Sequence, residues 1–148
     1  MSALNIQEIS DEDVEEVVAL WEACGLTRPW NDPHADIAFA RDSENATLLV
    51  GRLDSEIVAS AMVGHDGHRG TVYYVSVAPD MPGKGFGRVI MAAVEDWLHG
   101  RGAWKLNLLV RESNVPVIKF YSALGYDREE RVNLAKWIDP ARKPPAQD

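Results

Sequence analysis

TVYYVSVAPDMPGKGFGRVI, residues 71–90, starts as an apolar, β-prone run, breaks at Pro79, passes through three alternate glycines and re-emerges as a helix. Gly83, Gly85 and Gly87 are spaced so that a turn without side chains brings successive backbone N–H groups towards one anion. The helix that follows adds its positive N-terminal end, and Arg88 adds a full charge. Two familiar phosphate loops fail on spacing. A Walker loop needs Ser or Thr after Gly-Lys, and Lys84 is followed by Gly85. A dinucleotide fingerprint needs a glycine three residues after its second, where Gly85 has Arg88 and Gly87 has Ile90.

Working back from this stretch, Thr47 to Leu53 and Ile57 to Val63, joined by Asp54-Ser55-Glu56, form a hairpin. The turn GHDGHRG, Gly64 to Gly70, then leads into the strand that ends at Val77, so the sheet is antiparallel up to that point. His65, Asp66, His68 and Arg69 are dense for a hairpin tip, but they lack a further ligand pattern and read as a solvated turn rather than a metal site. Leu4 to Ile9 reads as a first strand. Ser10-Asp11-Glu12-Asp13 supplies a cap and negative charge for a helix with Val14, Val17, Val18 and Trp21 on its apolar face, ending near Cys24-Gly25. In Arg28-Pro29-Trp30-Asn31-Asp32-Pro33, the prolines fix an irregular connection, and Asn31 or Asp32 can cap a second helix running to about Arg41. Packing and capping account for this string. Arg28 and Trp30, two residues apart, equally suit a ligand contact.

Working forward, Phe86, Ile90, Ala93, Val94 and Trp97 recur at helical spacing up to Gly100, giving a helix that covers the sheet. Ala103 to Val110 reads as a fifth strand. Ser113 or Asn114 caps a helix bearing Val117, Ile118, Phe120, Tyr121 and Leu124, closed by Gly125. A right-handed crossover makes the strands ending at Val77 and Val110 parallel neighbours. Tyr126 to Ile138 supplies one or two more strands. Residues 139–148, with three prolines and a polar remainder, read as a loose tail after a single domain over 1–138.

With 148 residues, 46% apolar and 26% charged, the chain has the size and balance of one globular domain with a real core. No apolar stretch approaches the ~20 residues of a membrane-spanning helix. The start, MSALNIQEIS, lacks a basic segment followed by an apolar core, which gives a cytoplasmic expectation with no membrane partner. The single cysteine, Cys24, permits no internal disulfide and reads as a small apolar filler. A formal charge of -8, with 15 scattered Lys and Arg, argues against nucleic acid and favours a cationic substrate such as an amine.

The central stretch is similar to the main motif of the GNAT superfamily of acyl-CoA N-acyltransferases. There a strand ending in valine and proline leads to Arg or Gln, Gly, x, Gly, x, Gly or Ala. The matching residues are Val77, Pro79 and Pro82-Gly83-Lys84-Gly85-Phe86-Gly87. Pro82 stands where the family usually carries the Arg or Gln that helps hold the pyrophosphate, a role open to Lys84 or Arg88. Asn114, Val117, Phe120-Tyr121 and Leu124-Gly125-Tyr126 follow the family's second pattern, with Val117 in place of the usual alanine. RPWNDP and DGHRG additionally resemble the small bacterial YpeA-like acetyltransferases.

The resemblance implies an α/β GNAT fold: a central mixed sheet of six to seven strands, flanked by about four helices, with the fourth and fifth strands parallel and splayed. It implies acetyl-CoA as acyl donor, no metal, and direct transfer of acetyl to a primary amine in a ternary complex. Val75, Ser76 and Val77 would bind the pantetheine arm through backbone groups, with Gly83, Lys84, Gly85, Phe86, Gly87 and Arg88 around the pyrophosphate and Asn114 anchoring the arm. Tyr121 matches the tyrosine that protonates the departing thiolate, although the spacing equally allows an aromatic on a buried helix face. The amine would enter past Arg28, Trp30, Asn31, Asp66, His68 and Tyr73. It must arrive uncharged. No Glu lies in the central strand, so Tyr73 and Tyr74 ordering a water are the expected route for its proton. A small amine and a peptide amine both remain open as acceptor, as does a homodimer. The rival reading is a non-catalytic acyl-CoA sensor or interaction module.

Overall fold

The structure, a computed structural model, describes residues 3–145. The last three residues of the expected tail lie outside the described residues. The chain divides into two compact units, Met1–Leu108 and Leu109–Asp148.

The first unit is built on a five-stranded sheet in the order β1-β2-β3-β4-β5. Its strands are β1 (Asn5–Glu8), β2 (Ala46–Leu53), β3 (Glu56–His65), β4 (Gly70–Val77) and β5 (Leu106–Asn107). Neighbours are antiparallel except β4 and β5, which run parallel as expected from the crossover. Three helices, α1 (Val14–Ala23), α2 (Pro33–Arg41) and α3 (Phe86–Gly100), pack on the sheet. One core joins Val17, Val18, Leu20 and Trp21 of α1 and Ile37 of α2 to Leu48, Val50 and Ile57. Leu49, between two of these, is buried outside that cluster, the period-two pattern of a strand covered on both faces. The helix α3 covers β2, β3 and β4 with Ile90, Met91, Val94 and Leu98. Leu98 packs against its far end: a Cβ on Gly70 would come within 2.5 Å of the Leu98 side chain, so any other residue at the start of β4 would force Leu98 to shift.

The fifth strand is shorter than the expected Ala103 to Val110. Its ladder to β4 holds two pairs, Gly70↔Leu106 and Thr71↔Asn107. Beyond Thr71, the edge of β4 has no strand beside it among the described residues. This is the splay that the resemblance implies. The β3–β4 ladder is itself interrupted. Its register shifts between Ser60 and Met62, and Tyr74 opposite takes a φ of +55°, so β4 bulges in its middle.

The second unit contains α4 (Val115–Ala123), with Pro116 in its first turn and Gly125 at φ +96° just past its end. Tyr126 to Ile138, expected to supply strands, forms none, so the sheet has five strands among the described residues rather than six or seven. A strand needs a neighbour to take its backbone hydrogen bonds, and this unit has no other extended segment to pair with. Its first part, Asp127-Arg128-Glu129-Glu130-Arg131, is also continuous charge with no apolar face.

Candidate active site

Two features of β4 make the site: the open edge that ends at Val77, and the bulge at Tyr74. The edge feeds directly into the glycine loop. Gly83 and Gly85 adopt φ of +73° and +76°, and a Cβ on either would meet nothing within 4 Å. A side chain there would be strained and would fill an open cradle. The third glycine, Gly87, lies inside α3 and is not among the positive-φ residues.

The N-cap of α3 is Gly85, which offers no side chain, and its first turn holds no acidic residue. Intrahelical bonding begins with the Val89 amide, which donates to the Gly85 carbonyl at 3.2 Å. The amides before it therefore present unmatched donors and the positive end of a 15-residue helix. This set fits a diphosphate. Lys84 and Arg88 are exposed beside it, whereas Phe86 is buried and can contribute only its backbone. Ser76 is likewise buried with its hydroxyl on Ser60 Oγ at 2.7 Å, so Val75, Ser76 and Val77 offer the edge through their backbone.

The thiol of Cys24 donates to the Val77 carbonyl at 3.3 Å, a contact that sequence reading missed. Burial pushes this thiol's pKa up, which favours the neutral form expected of a packing residue.

The bulge is held by a fully matched polar cluster. The Tyr74 ring stacks on Trp21 with centroids 3.8 Å apart and planes 5° apart. Trp21 Nε1 donates to Ser60 Oγ at 2.9 Å, and Ser60 Oγ donates to the Tyr74 carbonyl at 3.0 Å. These contacts hold the strained φ of Tyr74, a conformation that costs about 1–3 kcal/mol and persists only where the surroundings enforce it.

At the outer end of the ring, the Tyr74 hydroxyl donates to Asp36 Oδ2 at 2.6 Å. Asn31 Nδ2 donates to Asp36 Oδ2 at 2.7 Å and to the Tyr74 hydroxyl at 2.9 Å. Burial, followed by the bond to Asp36, holds the Tyr74 phenol well above its ordinary range.

The predicted acceptor residues separate into two groups. Asn31 belongs to the cluster because Asp32, not Asn31, caps α2 by accepting from the His34 amide at 2.9 Å. Trp30 and Tyr73 adjoin it in sequence and are 39% and 53% exposed. Arg28 turns its guanidinium back on the Gly25 and Thr27 carbonyls, at 2.9 and 2.8 Å. Asp66 and His68 lie at the Gly70 end of β4, about 23 Å of strand from Val77 at ~3.3 Å per residue. There Asp66 Oδ1 accepts from the amides of His68 and Arg69 at 2.8 and 2.7 Å, and these bonds, Arg69 first, lower its pKa. Asp36 and Ser60 escaped sequence reading, and Trp21 reads there only as part of a helix's apolar face. Each looks ordinary in its own element, and the bonds that join them span 38 and 39 residues.

In the second unit, Asn114 is the N-cap of α4 but makes no side-chain capping bond, which leaves its amide group unused by the helix. Tyr121 is buried, with edge contacts to Phe120 at 5.0 Å and Tyr126 at 5.5 Å, and burial raises the pKa of its phenol.

An open strand edge, a bulge, and a glycine loop opening an uncapped helix are together the construction of one acyltransferase class. The model of the acetyltransferase (GNAT) family matches residues 10–126, and the chain belongs to that family. Over 133 residues it is 42% identical to an acetyltransferase of Yersinia pestis (strain Pestoides F), covering 90% of this chain and 94% of that protein. It is 41% identical over 133 residues to an acetyltransferase of Pectobacterium atrosepticum, with the same coverage of 90% and 94%.

Among solved structures, the aminoglycoside N-acetyltransferase AAC(6')-Iy in complex with CoA matches with a TM-score of 0.80 at 18% identity, covering 93% of this chain and 97% of that one. A ribosomal-protein-alanine N-acetyltransferase from Brucella melitensis matches with a TM-score of 0.72 at 20% identity, covering 91% and 99%. These two share the fold. This protein is an acetyltransferase.

Proposed function

We propose that the protein transfers acetyl from acetyl-CoA to a primary amine by direct attack in a ternary complex. The observation that carries this reading is the continuous path from the unpaired β4 edge through Gly83 and Gly85 to the uncapped end of α3. The β4 edge presents extended backbone, as an acyl-pantetheine arm requires, and the amides at α3 present donors, as a pyrophosphate requires. Bound there, acetyl-CoA supplies an acetyl group activated as a thioester.

The chain's own contribution is binding and orientation. Val75, Ser76 and Val77 would align the arm, the amides from Gly83 to Arg88 would take the phosphates, and Lys84 and Arg88 would add the charge that Pro82 does not. Preorganised backbone donors of this kind need no rearrangement as charge develops. The amine must shed its proton before attack, and Tyr73 beside the bulge would order the water that accepts it. Tyr121 lies in the other unit, and its assignment as proton donor to the leaving thiolate rests on its motif match and on its phenol being held protonated by burial. Asn114, with its amide group unused, is assigned to the arm on the same motif.

Calorimetric titration with acetyl-CoA, CoA and NAD, on the wild type and on Gly85→Glu, tests the reading. It requires acetyl-CoA and CoA to bind, NAD not to bind, and the substitution to abolish binding. Acetyl transfer to a panel of primary amines then follows. Equal binding of NAD, or acetyl-CoA binding that survives Gly85→Glu, overturns it.

A further inference from the structure

Several carboxylates around the first unit's helices and hairpin tip are matched to a cation or to nearby amides. Asp13 pairs with Arg52, Asp11 with Arg41 and Glu15 with His34. Glu16 accepts from the Ile57 amide, and Asp32 and Asp66 accept from amides of their own turns. Asp36 differs. Its donors are the Tyr74 hydroxyl and the Asn31 amide group, both neutral and both on Oδ2, and among the described residues no Lys, Arg or His forms an ion pair with it. Neutral donors fix where a carboxylate sits without cancelling its charge.

The fixing is to the sheet rather than to a loop. Tyr74 reaches Asp36 across 38 residues of sequence, from a bulge clamped by Trp21 and Ser60. Tyr74 also immediately precedes Val75–Val77, the edge on which the reacting thioester would lie. A half-buried negative charge is thereby held one tyrosine side chain from the reaction strand.

We propose that Asp36, positioned by Tyr74 and Asn31, is a subsite for a cationic group of the acceptor, and that the acceptor carries this charge in addition to the amine that is acetylated. The inference rests on the transferase reading above. The charge suits a second, non-reacting group. A carboxylate stabilises the ammonium form of any amine it touches, and an ammonium has no lone pair with which to attack. On the reacting nitrogen, Asp36 would oppose the reaction, while on a non-reacting nitrogen it contributes binding and orientation without that opposition. The acceptor class is a small amine with two or more positive charges.

The test is calorimetric binding of 1,4-diaminobutane, spermidine and n-butylamine to the full chain, with and without CoA, for the wild type, Asp36→Asn and Tyr74→Phe, followed by acetyl-transfer rates with the same amines. Spermidine is expected to bind the wild type at least about tenfold more tightly than butylamine. Asp36→Asn should weaken spermidine about ten- to a hundredfold while leaving butylamine and acetyl-CoA unchanged. Tyr74→Phe keeps the carboxylate and the ring stack but releases the carboxylate's anchor, and should weaken spermidine about three- to tenfold without altering acetyl-CoA binding.

Equal spermidine binding by the wild type and Asp36→Asn, or none by the wild type, overturns the proposal. Transfer to amines at rates indifferent to Asp36→Asn overturns the subsite and leaves the transferase standing. Spermidine binding through Asp36 without transfer to any amine overturns the transferase reading and leaves the subsite standing.

Discussion

β4 is flanked by two loops that look alike as strings, GHDGHRG before it and PGKGFG after it, both glycine-rich and both carrying charge. In the hairpin tip, the polar groups are turned on one another. Asp66 takes the amides of His68 and Arg69, and His65 Nδ1 takes the Gly67 amide at 3.1 Å. After β4 the reverse holds: the loop has no side chain that caps α3, and the helix's first amides have no intrahelical acceptor. Polar composition marks both segments equally. What distinguishes a turn from a binding loop is whether its donors are already satisfied.

Substitutions at matched positions in the two loops should therefore diverge. Gly85 and Gly67 both have positive φ, +76° and +88°, and open space where a side chain would go. Gly85→Ala should weaken acetyl-CoA by about tenfold or more in a calorimetric titration, and Gly85→Glu by more than a hundredfold, because strain and charge both fall on the anion cradle. Gly67→Ala should cost about 1 kcal/mol of stability in urea unfolding and leave acetyl-CoA binding unchanged. Equal losses of affinity at the two glycines would erase the distinction.

Tyr121→Phe is expected to lower kcat by roughly ten- to a thousandfold with acetyl-CoA affinity intact. Burial raises the phenol's pKa, and the protonated form is the acid. Its activity is thus fully present at neutral pH and is lost only as pH rises through a value above the ordinary ~10. A pH–kcat profile should show that alkaline limb in the wild type and lose it in the phenylalanine variant.

The bulge sharpens the comparison from the other side, since there full satisfaction serves stability rather than binding. Ser60 is fully buried and bonded to Trp21, Tyr74 and Ser76, so Ser60→Ala leaves three polar groups short of a partner. It should cost about 2–3 kcal/mol in urea unfolding and shift acetyl-CoA affinity by less than about tenfold. The smallest effect is expected at Asp66: Asp66→Ala should leave kcat and acetyl-CoA affinity unchanged, and a large loss of either would return the hairpin tip to the active site.

Much of the fold is legible in the chain. The meander over β2, β3 and β4, the helices Val14–Ala23, Pro33–Arg41 and Phe86–Gly100, and the parallel neighbour after the crossover all follow from local periodicity and caps. The glycine loop is legible too, because spacing and the absence of side chains are properties of sequence. Two features are not: the shortening of the fifth strand to Leu106–Asn107, and the lack of any strand over Tyr126 to Ile138. Extended structure depends on a partner for every backbone donor, and a segment's own residues do not say whether one is present.

The candidate site divides along the same line. Gly83, Gly85, Lys84, Arg88 and Tyr121 are contiguous signals, each readable from neighbours a few positions away. The Asn31–Asp36–Tyr74 cluster and its support by Trp21 and Ser60 draw on residues from 21 to 76, and so do not register as a motif. By itself the sequence determined the glycine loop and the order of elements, because these depend on local spacing and backbone freedom, while the acid candidate follows from the resemblance of its helix to the family's second motif. Only the tertiary structure decided that Asp36 joins Asn31 and Tyr74, and that Asp66 and His68 stand at the far end of β4. Which polar groups remain unmatched depends on which residues packing brings together.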